Sequence, residues 1–165
     1  MKQDSEETSD RDFIRRESLK GKIEFKNVTF KYPDQPMRAL DSVSFTVEPG
    51  EKIGVLGKIG SGKSTVLRLA AGLYEPDEGA VLIDDTDMRQ IVPEDLRRNM
   101  AVVLQDIVLF SGSIKENITM GHDDVADADI LRAAEISGAQ DFLGKIPNGY
   151  DVKLRDRGEG LSGGQ

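Results

Sequence analysis

Residues Gly57-Lys58-Ile59-Gly60-Ser61-Gly62-Lys63-Ser64 satisfy the pattern G-x-x-x-x-G-K-[ST]. They follow the short apolar run Ile53-Gly54-Val55-Leu56, which has the form of a strand covered on both faces. They precede Val66, Leu69, Ala70 and Leu73, whose spacings of three and four predict a helix over 62–73. A strand that feeds a glycine loop that feeds a helix admits few folds, and it places the loop at a helix N-terminus.

The chemistry follows from that placement. Glycines let the backbone curl until successive N–H groups point at one spot, and the helix adds the positive end of its dipole. Such a nest suits a phosphate chain. Gly57, Lys58, Ile59, Gly60, Ser61, Gly62 and Thr65 are therefore candidate nucleotide-binding residues. Lys63 is placed to reach the β- and γ-phosphates as a catalytic cation, and Ser64 to ligate Mg²⁺. Composition narrows the chemistry further. A net charge of −8 argues against broad binding to nucleic acid, which needs a basic surface. Any anion must be captured locally, by the loop. The absence of cysteine excludes thiolate zinc sites and cysteine nucleophiles, and a single histidine, His122, disfavours a serine triad or a multi-histidine metal site.

Along the chain, residues 1–21 mix acids and bases around Phe13, Ile14 and Leu19 and read as a linker or tail. From Lys22 a period of two begins, with Ile23 and Phe25, then Val28 and Phe30, then Val43, Phe45 and Val47, which predicts half-buried antiparallel strands. Further strands are expected at 80–83 and 101–104, a short helix at 93–98 that opens on Pro93, and a helix at 127–137 with Asp127 as N-cap. Asp84-Asp85 makes a turn whose second position tolerates positive φ. No apolar run approaches the roughly 18 to 20 residues that span a bilayer, and no signal peptide is evident, so the chain is expected in the cytoplasm.

A phosphate loop fixes a ligand class before it fixes a job. The chain ends in Leu161-Ser162-Gly163-Gly164-Gln165, about 100 residues beyond the loop, and with this pentapeptide the sequence from Lys22 onward resembles the ABC ATPases, whose signature it is. The resemblance implies a P-loop NTPase of α/β class: a RecA-like core, an antiparallel β subdomain and the start of a helical subdomain. Residues 22–165 would be the N-terminal part of an ATP-binding domain. It implies that Tyr32, in Phe30-Lys31-Tyr32-Pro33, stacks on adenine, a contact worth about 1 to 3 kcal/mol by analogy with other base-stacking sites. It implies that Gln105 contacts Mg²⁺ and the attacking water, and that Ser162, Gly163 and Gly164 close over the γ-phosphate held by a second subunit. ATP and Mg²⁺ are the expected cofactors. The expected partners are a second ATP-binding domain, as a homodimer, and the transmembrane domain of the same transporter at the cytoplasmic face of the inner membrane.

The stretch Gln105-Asp106-Ile107-Val108-Leu109-Phe110-Ser111-Gly112-Ser113-Ile114, followed by Glu116-Asn117-Ile118, looks like the exporter branch, as does Pro147-Asn148-Gly149-Tyr150-Asp151. Leu154-Arg155-Asp156-Arg157-Gly158 is similar to the exporter X-loop, although Asp156 stands where glutamate is usual and Arg155 where glycine is common. The phosphate loop, with its isoleucine, most resembles the ATPase/permeases of bacterial type I secretion. The resemblance also implies residues these 165 lack: an Asp-Glu pair ending a strand after the signature (Walker B) and a switch histidine, a role His122 cannot fill from its place before the signature. In the family, strands after the signature lie between the loop strand and the strand before Gln105. The chain is thus expected to be a piece of a longer exporter, truncated before Walker B, with central sheet edges unpaired and no turnover of its own. Alternatives are a non-catalytic nucleotide-binding or dimerisation module and a soluble ABC ATPase; a GTPase is weaker, because no N-K-x-D motif occurs.

Overall fold

Why the period-two pattern jumps parity between Phe25 and Val28 is answered by the first strand. In the computed structural model, which describes residues 13–103, 108–122 and 124–154, Ile23–Phe30 is one continuous strand, β1. It pairs antiparallel with β2 (Leu40–Val47) on one side and β3 (Glu78–Ile83) on the other. Both ladders slip in register after Phe25 or Lys26. The extra residue is a β-bulge, so Phe25 and Val28 both face inward although they are three apart, and both are buried. Asn27 takes the left-handed conformation at φ 47°, and its backbone N–H donates to Ser44 Oγ at 2.8 Å while its side chain accepts from the same hydroxyl at 3.0 Å. Gly79 lies opposite, at φ +79°, where an added Cβ would collide with the carbonyl oxygens of both Lys26 and Asn27. A glycine there is a steric requirement of the bulge.

The sheet closes with β4 (Thr86–Asp87), giving the order β2-β1-β3-β4. The β3–β4 link is the Asp84-Asp85 turn, with φ of 47° and 63°. Two successive positive φ values match the twist of a two-residue hairpin, so this turn does survive without glycine, as expected for aspartates. One face of the sheet receives α1 (Lys63–Ala70) through Leu69, and the later helix α2 (Pro93–Asn99) contributes Leu96, to a core around Phe25, Val81 and Ile83. Phe25 stacks on Phe45 at 4.5 Å between centroids. The helix predicted over 62–73 is shorter at both ends. Gly62 is its N-cap, and Gly72 ends it at φ +69°, with Gly72 N–H donating to the Leu69 carbonyl and Leu73 N–H to that of Arg68.

Two apolar runs read as sheet strands are not paired. Residues 53–56 have no ladder partner among the described residues, and Leu56 is 96% exposed. Ala101 to Val103 likewise form no strand, and Val103 is exposed. The physical reason is common to both: a parallel strand exists only through neighbours on each side, and none of the described residues supplies them. Ile53 and Val55 instead line an apolar groove of about 460 Å³ with Phe25, Phe45 and Val66.

Residues 13–22, of which those up to Gly21 read from sequence as linker or tail, lie along the sheet unit through specific contacts. Ile14 forms a parallel bridge to Ile91, with Ile14 N–H donating to the Gln90 carbonyl at 2.6 Å. The buried Asp95 carboxylate accepts the Arg16 N–H at 2.8 Å and pairs with Arg15 at 3.5 Å. Asp84 accepts three successive backbone N–H groups, of Lys20, Gly21 and Lys22, at 2.6, 3.1 and 3.0 Å. Replacing Asp84 by alanine leaves those three donors to water and is expected to cost about 1 to 2 kcal/mol of unfolding free energy, the range for partly exposed hydrogen bonds to a charge. Urea denaturation checks this, and a loss below about 0.3 kcal/mol would show that the segment is not held there.

The second unit, residues 103–165, is built on local devices. Ser113 caps α3 (Ile114–Thr119) in a capping box: Ser113 Oγ accepts the Glu116 N–H at 3.0 Å and Glu116 accepts the Ser113 N–H at 2.6 Å. That backbone donor, and the Ser113 hydroxyl after it, hold the Glu116 carboxyl below its ordinary range. Asn117 clasps Phe110 through both of its backbone groups, at 2.8 and 2.9 Å. Ile114, Leu143 of α5 (Gln140–Leu143) and Leu154 form the core, and β5 (Gly112–Ser113) pairs with β6 (Lys153–Leu154). The helix α4 runs Asp127–Ser137 with Ala126, not Asp127, as N-cap. Asp127 sits one position further in because its carboxylate is drawn to Lys115, 2.7 Å away, and it complements the helix dipole from the first turn instead.

Candidate functional site

One glycine of the loop, Gly62, is fixed by space as well as by φ, and Gly60 by φ alone. Gly62, at φ +88°, packs so closely that a Cβ would come within 2.6 Å of the Ala39 carbonyl oxygen and 2.7 Å of Leu40. Gly60 turns the chain at φ +81°, and a donor bond from Ser61 N–H to the Lys58 carbonyl at 3.2 Å closes the tip. From Gly62 the chain enters α1, whose N-terminus has no side-chain cap and no acidic residue in its first turn. The orphan amides of a helix start are thus left without a local side-chain acceptor, which is the condition for an anion site. Lys63 folds back over the loop, its Nζ donating to the carbonyl oxygens of Gly57 at 2.9 Å and Lys58 at 2.8 Å. The ammonium is thereby held against the loop's own backbone. Ser64 and Ile59 are exposed, Ser64 at the junction of loop and helix.

Among the described residues no cluster of His, Cys, Asp and Glu could hold a metal by itself. The groups present do fit a magnesium nucleotide: one exposed hydroxyl, Ser64, beside uncapped amides and an ammonium, is a donor set that needs phosphate oxygens to complete a cation's shell.

Tyr32 stands just beyond β1, half-buried, and is joined to α1 by its hydroxyl. The phenol oxygen lies 3.2 Å from Thr65 Oγ1 and accepts from Arg68 Nη1 at 3.1 Å. Thr65, expected to bind nucleotide, is buried, with its hydroxyl engaged by Tyr32. Burial works against ionisation of the Tyr32 phenol, but the hydrogen bonds with Thr65 and Arg68 and the guanidinium charge outweigh it and hold the phenol below its ordinary value. Phe30 and Tyr74 meet the Tyr32 ring edge-on, at 4.9 and 5.3 Å. Arg68 and Tyr74 went unremarked in the sequence. The available signal was helical: Arg68 falls three residues after Thr65, on the same face of α1.

Gln105, Ser162, Gly163 and Gly164 lie outside the described residues, as do Arg155 to Gly158. His122 is an exposed loop residue 4.0 Å from Asp124.

The chain is similar to known proteins in sequence and in fold. The ABC transporter family matches residues 40–165. The uncharacterized ABC transporter ATP-binding protein YfiB of Bacillus subtilis is 46% identical over 147 residues, which cover 89% of this chain and 26% of YfiB. The leukotoxin export ATP-binding protein LtxB of Aggregatibacter actinomycetemcomitans is 42% identical over 148 residues, 89% of this chain and 21% of LtxB. The structure of a bacterial Atm1-family ABC exporter with ATP bound superposes with a TM-score of 0.81 at 34% identity, covering 95% of this chain and 29% of that one. The chain therefore spans about a quarter of the length of the proteins it matches. A phosphate loop opening an uncapped helix beside a four-stranded antiparallel sheet, and a family match that takes in both the loop and the LSGGQ pentapeptide, place the chain in the ABC transporter family, among its exporter-type ATP-binding domains.

Proposed function

We propose that this chain binds Mg-ATP through residues 57–65 and that the protein it represents hydrolyses ATP to drive export across a membrane, with these residues at its cytoplasmic face. The observation that carries the reading is the loop itself: a Gly62 that admits no side chain, a Gly60 at positive φ, an uncapped helix start, and Lys63 held 2.8 to 2.9 Å from the loop carbonyls. Gly57, Lys58, Ile59, Gly60, Ser61 and Gly62 wrap the phosphates, Lys63 shifts from its carbonyls to the β- and γ-oxygens, and Thr65 closes the base of the site. Ser64 and Gln105 hold the metal, Tyr32 stacks on adenine, and Ser162, Gly163 and Gly164 complete the site of a second copy. Bound Mg²⁺ supplies charge neutralisation at the phosphates. The relation to LtxB, named for leukotoxin export, supports a protein or peptide as cargo.

We further propose that residues 1–165 taken by themselves bind nucleotide without turning it over, the water-polarising Asp-Glu pair that the resemblance implies not being among them. Calorimetric titration with Mg-ATP, beside a phosphate-release assay, tests both statements. Saturable binding with no release above the Lys63→Ala background is expected; failure to bind at millimolar Mg-ATP would overturn the first, and a robust rate abolished by Lys63→Ala the second.

A further inference from the structure

A ring that stacks on a base needs no hydroxyl, since every aromatic presents a π-face. Tyr32 nevertheless spends its hydroxyl on α1. Arg68 Nη1 donates to the phenol oxygen at 3.1 Å, Thr65 Oγ1 lies 3.2 Å from it on the other side, and the guanidinium carbon is 6.0 Å from the ring centroid. If Arg68 donates to the phenol and the phenol donates to Thr65, each group is used in keeping with its chemistry. Thr65 and Arg68 are one helical turn apart on the helix that starts at the phosphate loop, and Thr65 follows Ser64 directly. The contacts therefore join the end of β1 to the first two turns of α1, across 33 and 36 residues of sequence. Around the ring, Phe30 and Tyr74 stand at 82° and 86° to it, and neither lies parallel to its face.

We propose that Arg68, with Thr65, is a positioning residue that fixes the Tyr32 ring relative to the phosphate loop, so that the spacing between base contact and phosphate contact is set before a nucleotide binds. This rests on the reading of the loop and Tyr32 as a nucleotide site. A preset spacing favours ligands that carry a base at the right distance from their phosphates and does nothing for a bare phosphate chain. Arg68 acts through Tyr32 and touches no ligand.

The test uses two probes, ATP and inorganic tripolyphosphate, each with Mg²⁺, against the unsubstituted chain and Tyr32→Ala, Tyr32→Phe, Arg68→Met, Arg68→Lys and Lys63→Ala. Tyr32→Phe and Arg68→Met are each expected to weaken ATP about three- to tenfold, the loss of one or two hydrogen bonds. Tripolyphosphate affinity should stay the same in both. The Tyr32→Phe/Arg68→Met double variant should lose no more than Tyr32→Phe alone, which already removes the link to Arg68. Arg68→Lys, which keeps a donor, should recover part of the loss. Nucleotide-free unfolding midpoints separate misfolding from misplacement, and Tyr32→Phe guards against an Arg68→Met chain that fails to fold.

Equal weakening of both probes by Arg68→Met would overturn the proposal, because Arg68 would then serve the phosphates or the fold. So would wild-type ATP affinity in both Tyr32→Phe and Arg68→Met while Tyr32→Ala loses it, a result that leaves base stacking intact. If Tyr32→Ala binds ATP as tightly as the parent, the stacking itself fails, and if Lys63→Ala binds both probes unchanged, the phosphate loop does.

Discussion

Gly79→Ala is expected to lower the unfolding free energy by about 2 to 4 kcal/mol, and with it the thermal midpoint by roughly 5 to 12 °C. Two costs combine. At φ +79° any residue with a Cβ carries a conformational penalty of about 1 to 2 kcal/mol. The new methyl group would also meet two backbone carbonyl oxygens, those of Lys26 and Asn27, which cannot rotate aside as a side chain would. Relief requires β1 and β3 to part at the bulge, and β1 is the strand that joins β2 to β3. Gly50→Ala isolates the first cost, since Gly50 sits at φ +77° with nothing within 4 Å of its added Cβ. Its loss should be near 1 kcal/mol. Equal midpoints for the two variants would mean that the contact at the bulge carries no energy.

Lys63→Ala is expected to abolish the thermal stabilisation conferred by Mg-ATP while leaving the nucleotide-free midpoint nearly unchanged. Without nucleotide, the ammonium makes two solvent-exposed hydrogen bonds to Gly57 and Lys58, and losing them costs about 0.5 to 1 kcal/mol at most. With nucleotide at a hundred times its dissociation constant, the parent gains about 2.7 kcal/mol of apparent stability. The variant forfeits that gain because the cation facing the phosphates is gone and the amides of α1 alone hold the anion. Scanning fluorimetry of both chains with and without 5′-ATP and Mg²⁺ reads the difference directly. A shift of the same size in both would remove Lys63 from the site.

Sequence pattern reached some of these features and not others for physical reasons. The loop was legible because its motif encodes a backbone path, and Gly62 occupies the place where only glycine fits between Ala39 and Leu40. The parity jump from Phe25 to Val28 was visible as a broken period, but only the pairing on both sides shows it to be a bulge within one strand. Residues 53–56 and 101–103 carried strand-like patterns that report burial in a neighbour's presence, and no described residue is that neighbour. Asp127 had the residue type of an N-cap, and Lys115, twelve residues earlier, redirected it. The grip of Arg68 and Thr65 on Tyr32 was hidden because it spans more than 30 residues, beyond any local period.

The anchoring of residues 13–22 sets a mechanical limit. Ile14 is seated at Ile91 and Lys20 at Asp84, so the five residues between, six Cα steps, can span at most about 20 Å. A pull on Phe13 is met first by the Ile14 bridge and the Asp95 carboxylate, and then by three amides gripped by a single aspartate. Motion at that end therefore meets the contacts at Ile91 and Asp95 before it reaches the Asp84-Asp85 hairpin. The segment works as a short tow line with both ends made fast, one at α2 and the other at the sheet.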